Sequence, residues 1–277
     1  METSKINRLR TVLKSLSVNT KSGYATGKGT ILKVFRSLKE NSKEDILAKL
    51  TLIDSMYSTQ MNRRYYGLEE LSDVLVELKE KKGNLSDLFL TFLKEKKIEI
   101  FTINHCGKSK NLFFENYGIG KDGKDKGLAI SLISKFAYFE TNLNFPIYDS
   151  IVREMYPLIW AYCDFPKKEM PPKRSLVNDM VAYIDAIDLL KHKIGKLLHQ
   201  QSLTYENLDK LLWHTGKILR GNLSLILTME DYQQYGKEFQ KKNFDLSTYD
   251  LSQLAFLEHK PMLKHVFEFA KELSILN

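Results

Sequence analysis

A mainly α-helical protein, with at most a short strand pair, is what the sequence predicts, and three observations predict it. Apolar residues recur at intervals of three and four along most of the 277-residue chain, the period of a helix with one buried face. Ser, Thr, Asn or Asp precedes many of these stretches, where free backbone N–H groups need an acceptor. Strand-type alternation is confined to one short segment. With 43% apolar and 27% charged residues, the chain can bury a sizeable core.

Taken in order, residues 1–22 carry the stripe Ile6, Leu9, Val12, Leu13 and Leu16 and read as a helix. Gly23–Thr30 (GYATGKGT) reads as a loop, and it lacks the spacing of a phosphate-binding P-loop. Helices follow over 31–38 and 42–53, the second with Ser42 as cap and Asp45 at its third position. Helical spacing resumes after Gly67, runs to 78 and ends at Gly83. The next helix covers 85–97, capped by Asn84 or Ser86, with Leu88, Phe89, Phe92 and Leu93 buried. Ile98–Ile103 (IEIFTI) alternates and predicts the strand. Asn104–Asn111 and Asn116–Gly127 read as basic, turn-rich loops.

Ser131–Trp160 reads as helix, short connection, helix. Leu132, Ile133, Phe136, Ala137 and Phe139 stripe the first. Thr141, Asn142, Asn144 and Pro146 break it. Asp149 and Ser150, both good N-caps, precede a second stripe of Ile151, Val152, Met155, Leu158 and Ile159. Pro166, Pro171 and Pro172 exclude continuous helix from 164 to 175 and mark the expected boundary. It separates a helical domain at 1–163, whose core spans about 45–163, from a C-terminal helical segment at 175–277 packed on the same core. That segment carries helices near 177–200, 204–218, 222–228, 229–242 and 247–275, the last interrupted at Pro261.

Composition narrows function mostly by exclusion. No apolar run approaches the roughly 18 residues of a membrane span, and METSKINRLRTVLKSL has no signal-peptide core, so a cytoplasmic protein is expected. Cys106 and Cys163 are too few for a disulfide framework or a cysteine-built metal site. His192 and His199 lack H-E-x-x-H spacing, and Ser131, Ser134 and Ser150 have no histidine at triad spacing. Neither a metal nor another cofactor is expected. Trp213–His214 reads as a packing residue followed by a surface imidazole. The net charge of +8 fits an anionic partner, and its distribution is uneven. Eight Lys or Arg and no acid lie between Lys5 and Arg36. Lys108, Lys110, Lys121, Lys124 and Lys126 face three acids over 108–126, and four basic residues face one acid over 167–174. Each run is either a solvated face or a phosphate-contacting one.

Two segments, in this order, resemble motifs of the helix-hairpin-helix DNA glycosylase superfamily. Leu52–Gln60 (LIDSMYSTQ) is similar to its "LSxQT" helix segment, with Tyr57, Ser58, Thr59 and Gln60 at the matching positions. Phe145–Arg153 (FPIYDSIVR) is similar to its "hPVDTHVxR" segment, which carries the catalytic Asp. The resemblance implies double-stranded DNA as partner, base excision repair as context and Asp149 as catalytic carboxylate. It also implies Tyr57, Gln60, Gly127 and Ser150 as base-pocket or DNA contacts, with the 108–126 lysines on phosphates. At the hairpin, KDKGLAIS (Lys124–Ser131) keeps only Gly127 of the family's L-P-G-[VI]-G pattern. Ala129 stands where bifunctional members carry a nucleophilic lysine, so monofunctional hydrolysis is the expectation. Such hydrolysis suits a carboxylate, which stabilises an oxocarbenium-like transition state over a flipped nucleotide. Tyr57, Tyr65, Tyr66, Tyr138 and Trp213 are available to line a pocket or to fill a core. Three alternatives stand beside this reading: Asp149 as a plain helix cap, an inactive DNA-binding module, and a helical protein–protein interaction domain.

Overall fold

The computed structural model describes residues 3–18, 23–57, 59–105, 107–124, 127–172, 176–199, 203–224, 226–239 and 244–276. Among them are eleven α-helices and one two-stranded antiparallel sheet, so the fold is mainly α with a short strand pair. The chain forms two compact units, each discontinuous in sequence. The first comprises Met1–Lys28, Asp149–Lys173 and Ala186–Asn277; the second comprises Gly29–Tyr148 and Arg174–Asp185. Helices α2 (Gly23–Ser37) and α8 (Met180–Leu197) each supply residues to both.

In the first unit, α1 (Thr3–Val18) packs with α9 (Tyr205–Leu219) and α11 (Pro261–Ser274), and α7 (Ser150–Tyr162) lies on α9. The stripe Leu9, Val12, Leu13 and Leu16 is buried as its spacing requires. Helix α7 crosses α9 at Gly216, where an added Cβ would stand 2.2 Å from Ile151 Cγ2. Arg8 clamps α11 through Glu268 at 2.5 Å and Glu272 at 3.1 Å.

In the second unit, α3 (Lys43–Tyr57) packs on α4 (Gly67–Lys82) and α6 (Ile130–Glu140), and α5 (Leu85–Glu95) bridges α4 and α6. The caps follow the sequence. Ser42 Oγ accepts from Asp45 N–H (3.2 Å), Asp45 accepts back from Ser42 N–H (3.4 Å), and Asn84 caps α5 through Asp87 N–H (3.2 Å). Phe89 and Phe92 are buried, while Leu88 and Leu93 are half-buried.

Four stretches depart from expectation. The loop expected at 23–30 is the start of α2. Lys28 is buried there with Nζ 3.0 Å from Glu206, and tertiary pairing overrides the weak helix preference of three glycines. The expected strand 98–103 is a 3₁₀ turn over Ile98–Phe101 followed by β1 (Thr102–His105). The turn seats Phe101 against Phe89 (5.1 Å), Phe92 (5.1 Å) and Phe113 (5.2 Å), a burial that a strand beginning at 98 does not supply. The basic loop expected at 104–111 is the rest of a hairpin, with β2 (Lys108–Asn111) pairing Thr102 with Asn111 and His105 with Lys108. The helix expected at 222–228 is a series of turns after Gly221, which has φ +66 and ends α9; Leu225 lies outside the described residues. Helix α10 (Met229–Phe239) follows, and two 3₁₀ turns lead to α11, whose first residue is Pro261.

Candidate functional site

The second motif is built as its sequence indicates. Phe145, Pro146, Ile147 and Tyr148 are buried. Tyr148 N–H donates to Ser134 Oγ (2.9 Å), and Asn178 N–H donates to Tyr148 Oη (3.0 Å). Tyr183 donates to the Ile147 carbonyl (2.5 Å), and its ring lies 4.9 Å from that of Tyr148. The extended stretch is thus held on both sides up to the start of α7. Asp149, with φ −139 and ψ 147, is the N-cap; its Oδ1 accepts from Ile151 N–H at 2.8 Å. Ser150 is the first helical residue and is exposed. Asp149 and Ser150 belong to the first unit, and the other candidate site residues to the second.

The first motif ends in an irregular turn. Asp54, buried on the last turn of α3, accepts from Thr59 Oγ1 and from Met61 N–H (2.8 Å), which folds the chain back. Ser58, one of the matching positions, lies outside the described residues. Gln60 is exposed and left-handed (φ 65), with no side-chain capping bond. A 3₁₀ turn over Met61–Arg63 follows, and then Tyr66, also left-handed (φ 61), precedes α4. That conformation is an outlier for a bulky side chain and costs about 1–2 kcal/mol. Tyr65 is 55% exposed and Tyr66 66%.

The turn is tied to the Gly/Lys-rich loop. Tyr65 and Ile119 exchange backbone hydrogen bonds of 2.8 and 2.9 Å. Arg64 Nη1 donates to the carbonyls of Gly127 (2.5 Å) and Tyr117 (3.3 Å). Gly118 has φ +77, and a Cβ there would stand 2.8 Å from both Arg64 Cβ and Gly67 Cα, so only glycine lets the loop come this close. The structure therefore joins Gln60, Tyr65, Tyr66 and Gly127 with the exposed Lys121 and Lys124 in one assembly; Lys126 lies outside the described residues. Gly127 engages Arg64 through its carbonyl. Lys108 and Lys110 lie two apart on β2, one face of the hairpin, rather than on a loop.

Tyr57 is half-buried, its ring 6.1 Å from Phe139 and 5.6 Å from Lys135 Nζ. Lys135 is buried and donates to Ser131 Oγ at 2.6 Å. Tyr138 and Trp213 are buried in the cores of their units. His214 is buried as well, not a surface imidazole. Burial pulls its pKa down to about 4, with Nδ1 2.8 Å from the Lys210 carbonyl on the same helix. Burial pushes the Cys163 thiol up to about 12, which leaves it protonated and unreactive; Cys106 lies outside the described residues. Among the described residues, no three His, Cys, Asp or Glu side chains are placed to hold a metal ion, and no helix is long and apolar enough to cross a membrane.

Sequence reasoning passed over Asp54 and Arg64. The pair Arg63–Arg64 followed by Tyr65–Tyr66–Gly67 was the signal available for the turn: adjacent cations and aromatics before a helix-starting glycine. Nothing in sequence marked Lys135 as buried, since it lies inside an apolar helix at a position that reads as a polar break. In comparisons with protein-family models, curated proteins and solved structures, the chain matches none of them.

Proposed function

We infer that the protein binds duplex DNA and hydrolyses the N-glycosidic bond of a flipped nucleotide, with Asp149 as the carboxylate that stabilises positive charge on the sugar. The supporting observation is the assembly of the second unit: two exposed tyrosines on a strained turn, tied by backbone bonds to a loop carrying Lys121 and Lys124. Aromatic faces beside lysines offer the two contacts nucleic acid rewards, stacking and phosphate neutralisation. In this reading Asp149, fixed by its cap to α7, orients a water for attack at the anomeric carbon as the base leaves. The test is base release from duplexes carrying damaged bases. Asp149→Asn should lower release by about 10²-fold or more and leave binding intact; release at the wild-type rate overturns the catalytic role, and absence of release from both leaves a binding module.

Lys135 supports a second reading of the same fold. Its amine, buried beside Tyr57, could displace the base and form an imine with the opened sugar, followed by strand cleavage through β-elimination. Borohydride reduction distinguishes the two: a covalent protein–DNA adduct that Lys135→Ala loses supports the amine, and absence of an adduct excludes it.

A further inference from the structure

We propose that a cavity in the second unit is a binding site for a nucleoside monophosphate. The cavity has a volume of about 310 Å³, the lower end of the range for small-ligand sites. It lies where the link between α2 and α3 meets the C-terminal end of α6. Its lining is mainly polar, and Leu32 and Phe35 from α2 with Phe139 from α6 supply the smaller apolar part. Its floor is formed by Asn41 and Glu140, which share a closed polar network with Lys49 buried outside the lining. Lys49, 1% exposed, donates to Asn41 Oδ1 (2.5 Å) and to Glu140 Oε2 (2.9 Å), and Asn41 Nδ2 donates to Glu140 Oε1 (2.7 Å). Lys49 Nζ also sits 4.7 Å from the centre of the Phe35 ring. Asn41 holds a left-handed backbone (φ 49), and Lys79 pins the link by donating to the Glu40 and Asn41 carbonyls. The cavity is therefore a built feature with a fixed floor.

Charge identifies the ligand. The pair Lys49–Glu140 is neutral overall, and two further cations, Arg36 and Lys39, line the cavity and are exposed. Arg36 spends one contact on Asn142 Oδ1 (3.1 Å), which leaves other N–H groups of its fork for an anion. A phosphomonoester carries about −1.5 to −2 at neutral pH and takes a guanidinium bidentately, so it matches two cations better than a carboxylate does. Inorganic phosphate alone would leave most of the 310 Å³ unfilled. Each Glu140 oxygen has accepted one bond and can accept a second, which suits the N–H groups on the edge of a nucleobase. A cavity of about 310 Å³ with a base-edge acceptor, a small apolar part and two cations for a dianion describes a nucleotide, and the inference stands apart from the DNA-directed activity proposed above.

Calorimetric titration of the full chain with AMP, GMP, CMP and UMP, their nucleosides and inorganic phosphate tests the site. At least one monophosphate should bind with Kd below about 1 mM. Its affinity should fall about tenfold in each of Arg36→Ala and Lys39→Ala. The parent nucleoside and phosphate should bind at least about tenfold more weakly than the monophosphate. Both substituted residues are exposed, so the variants should melt as the wild type does. Absence of binding by all four monophosphates overturns the proposal, as does unchanged affinity in the double variant or equal binding of inorganic phosphate. Duplex binding measured on the same variants reports separately on the DNA reading.

Discussion

Between Phe145 and Val152 every local rule is obeyed: apolar residues are buried, a carboxylate caps the helix it precedes, and the polar residue after it faces solvent. Between Asp54 and Tyr66 the rules are broken twice, by left-handed Gln60 and left-handed Tyr66, and two large aromatics stand in solvent. A stretch that obeys every rule is fully explained by folding. Asp149 would sit where it does with no chemistry to perform, its cap contributing about 1 kcal/mol. A stretch that breaks them holds strain that folding alone does not reward, and such sites concentrate where ligands bind. The proposed chemistry thus rests on the segment whose structure asks for no function, and the proposed binding on the segment whose structure does.

The largest expected effect separates these roles. Asn caps a helix as well as Asp does, so Asp149→Asn should leave the melting temperature nearly unchanged. Removing the charge should lower base release by about 10²-fold or more. Equal release would return Asp149 to the role of a cap.

The second effect is on stability, and it sets the pH range in which Asp149 can be assayed. His214 lies on α9, the helix against which α7 packs, and its folded pKa of about 4 lies below the unfolded value of 6.5. The unfolded chain takes up the proton first, so stability holds above pH 6.5 and falls as the pH drops toward 4. The loss is on the order of 3 kcal/mol. Burial is the largest cause, and the charges of Lys210 and Lys28 are part of the same loss, because both oppose another positive charge there. Denaturant titrations across this range should show the slope, and His214→Gln should flatten it.

Third comes the strained turn. Tyr65→Ala and Tyr66→Ala should each weaken duplex binding, by about 1–3 kcal/mol for whichever ring stacks on a base. Tyr66→Gly divides strain from contact: it should stabilise the fold by about 1 kcal/mol, since glycine adopts φ 61 freely, while binding still falls. If Tyr66→Gly neither stabilises the fold nor weakens binding, the turn is no different in kind from the segment around Asp149.

Legibility in the sequence follows the same division. Helix α7 with its Asp149 cap and the Ser42–Asp45 capping box were readable because each depends on residues within one turn of the helix start. The start of α2 was not readable: its helical state depends on Lys28 meeting Glu206, 178 residues away in the chain. The 3₁₀ turn at 98–101 was hidden for a similar reason, since what places Phe101 is a ring cluster drawn from α5 and the segment after β2. At the site, sequence supplied the lysines of 116–127 and the glutamine of the first motif as separate features. The Tyr65–Ile119 bridge that joins them is a long-range backbone contact that no local pattern encodes.

The smallest effect tests whether that bridge matters. Each phosphate contact removed from a duplex-binding surface lowers the slope of log affinity against log salt by about 0.9. Lys121 and Lys124 lie on the loop tied to the turn, whereas Lys108 and Lys110 share one face of a hairpin whose partners are α4 groups such as Glu77, against His105. Lys121→Gln and Lys124→Gln should therefore each reduce the slope, and the same changes at Lys108 and Lys110 should leave it alone. A reduced slope from the hairpin lysines, with none from the loop, would move the phosphate track off the turn. It would leave Tyr65 and Tyr66 without the neighbouring charge that makes stacking on nucleic acid the best use of two exposed rings.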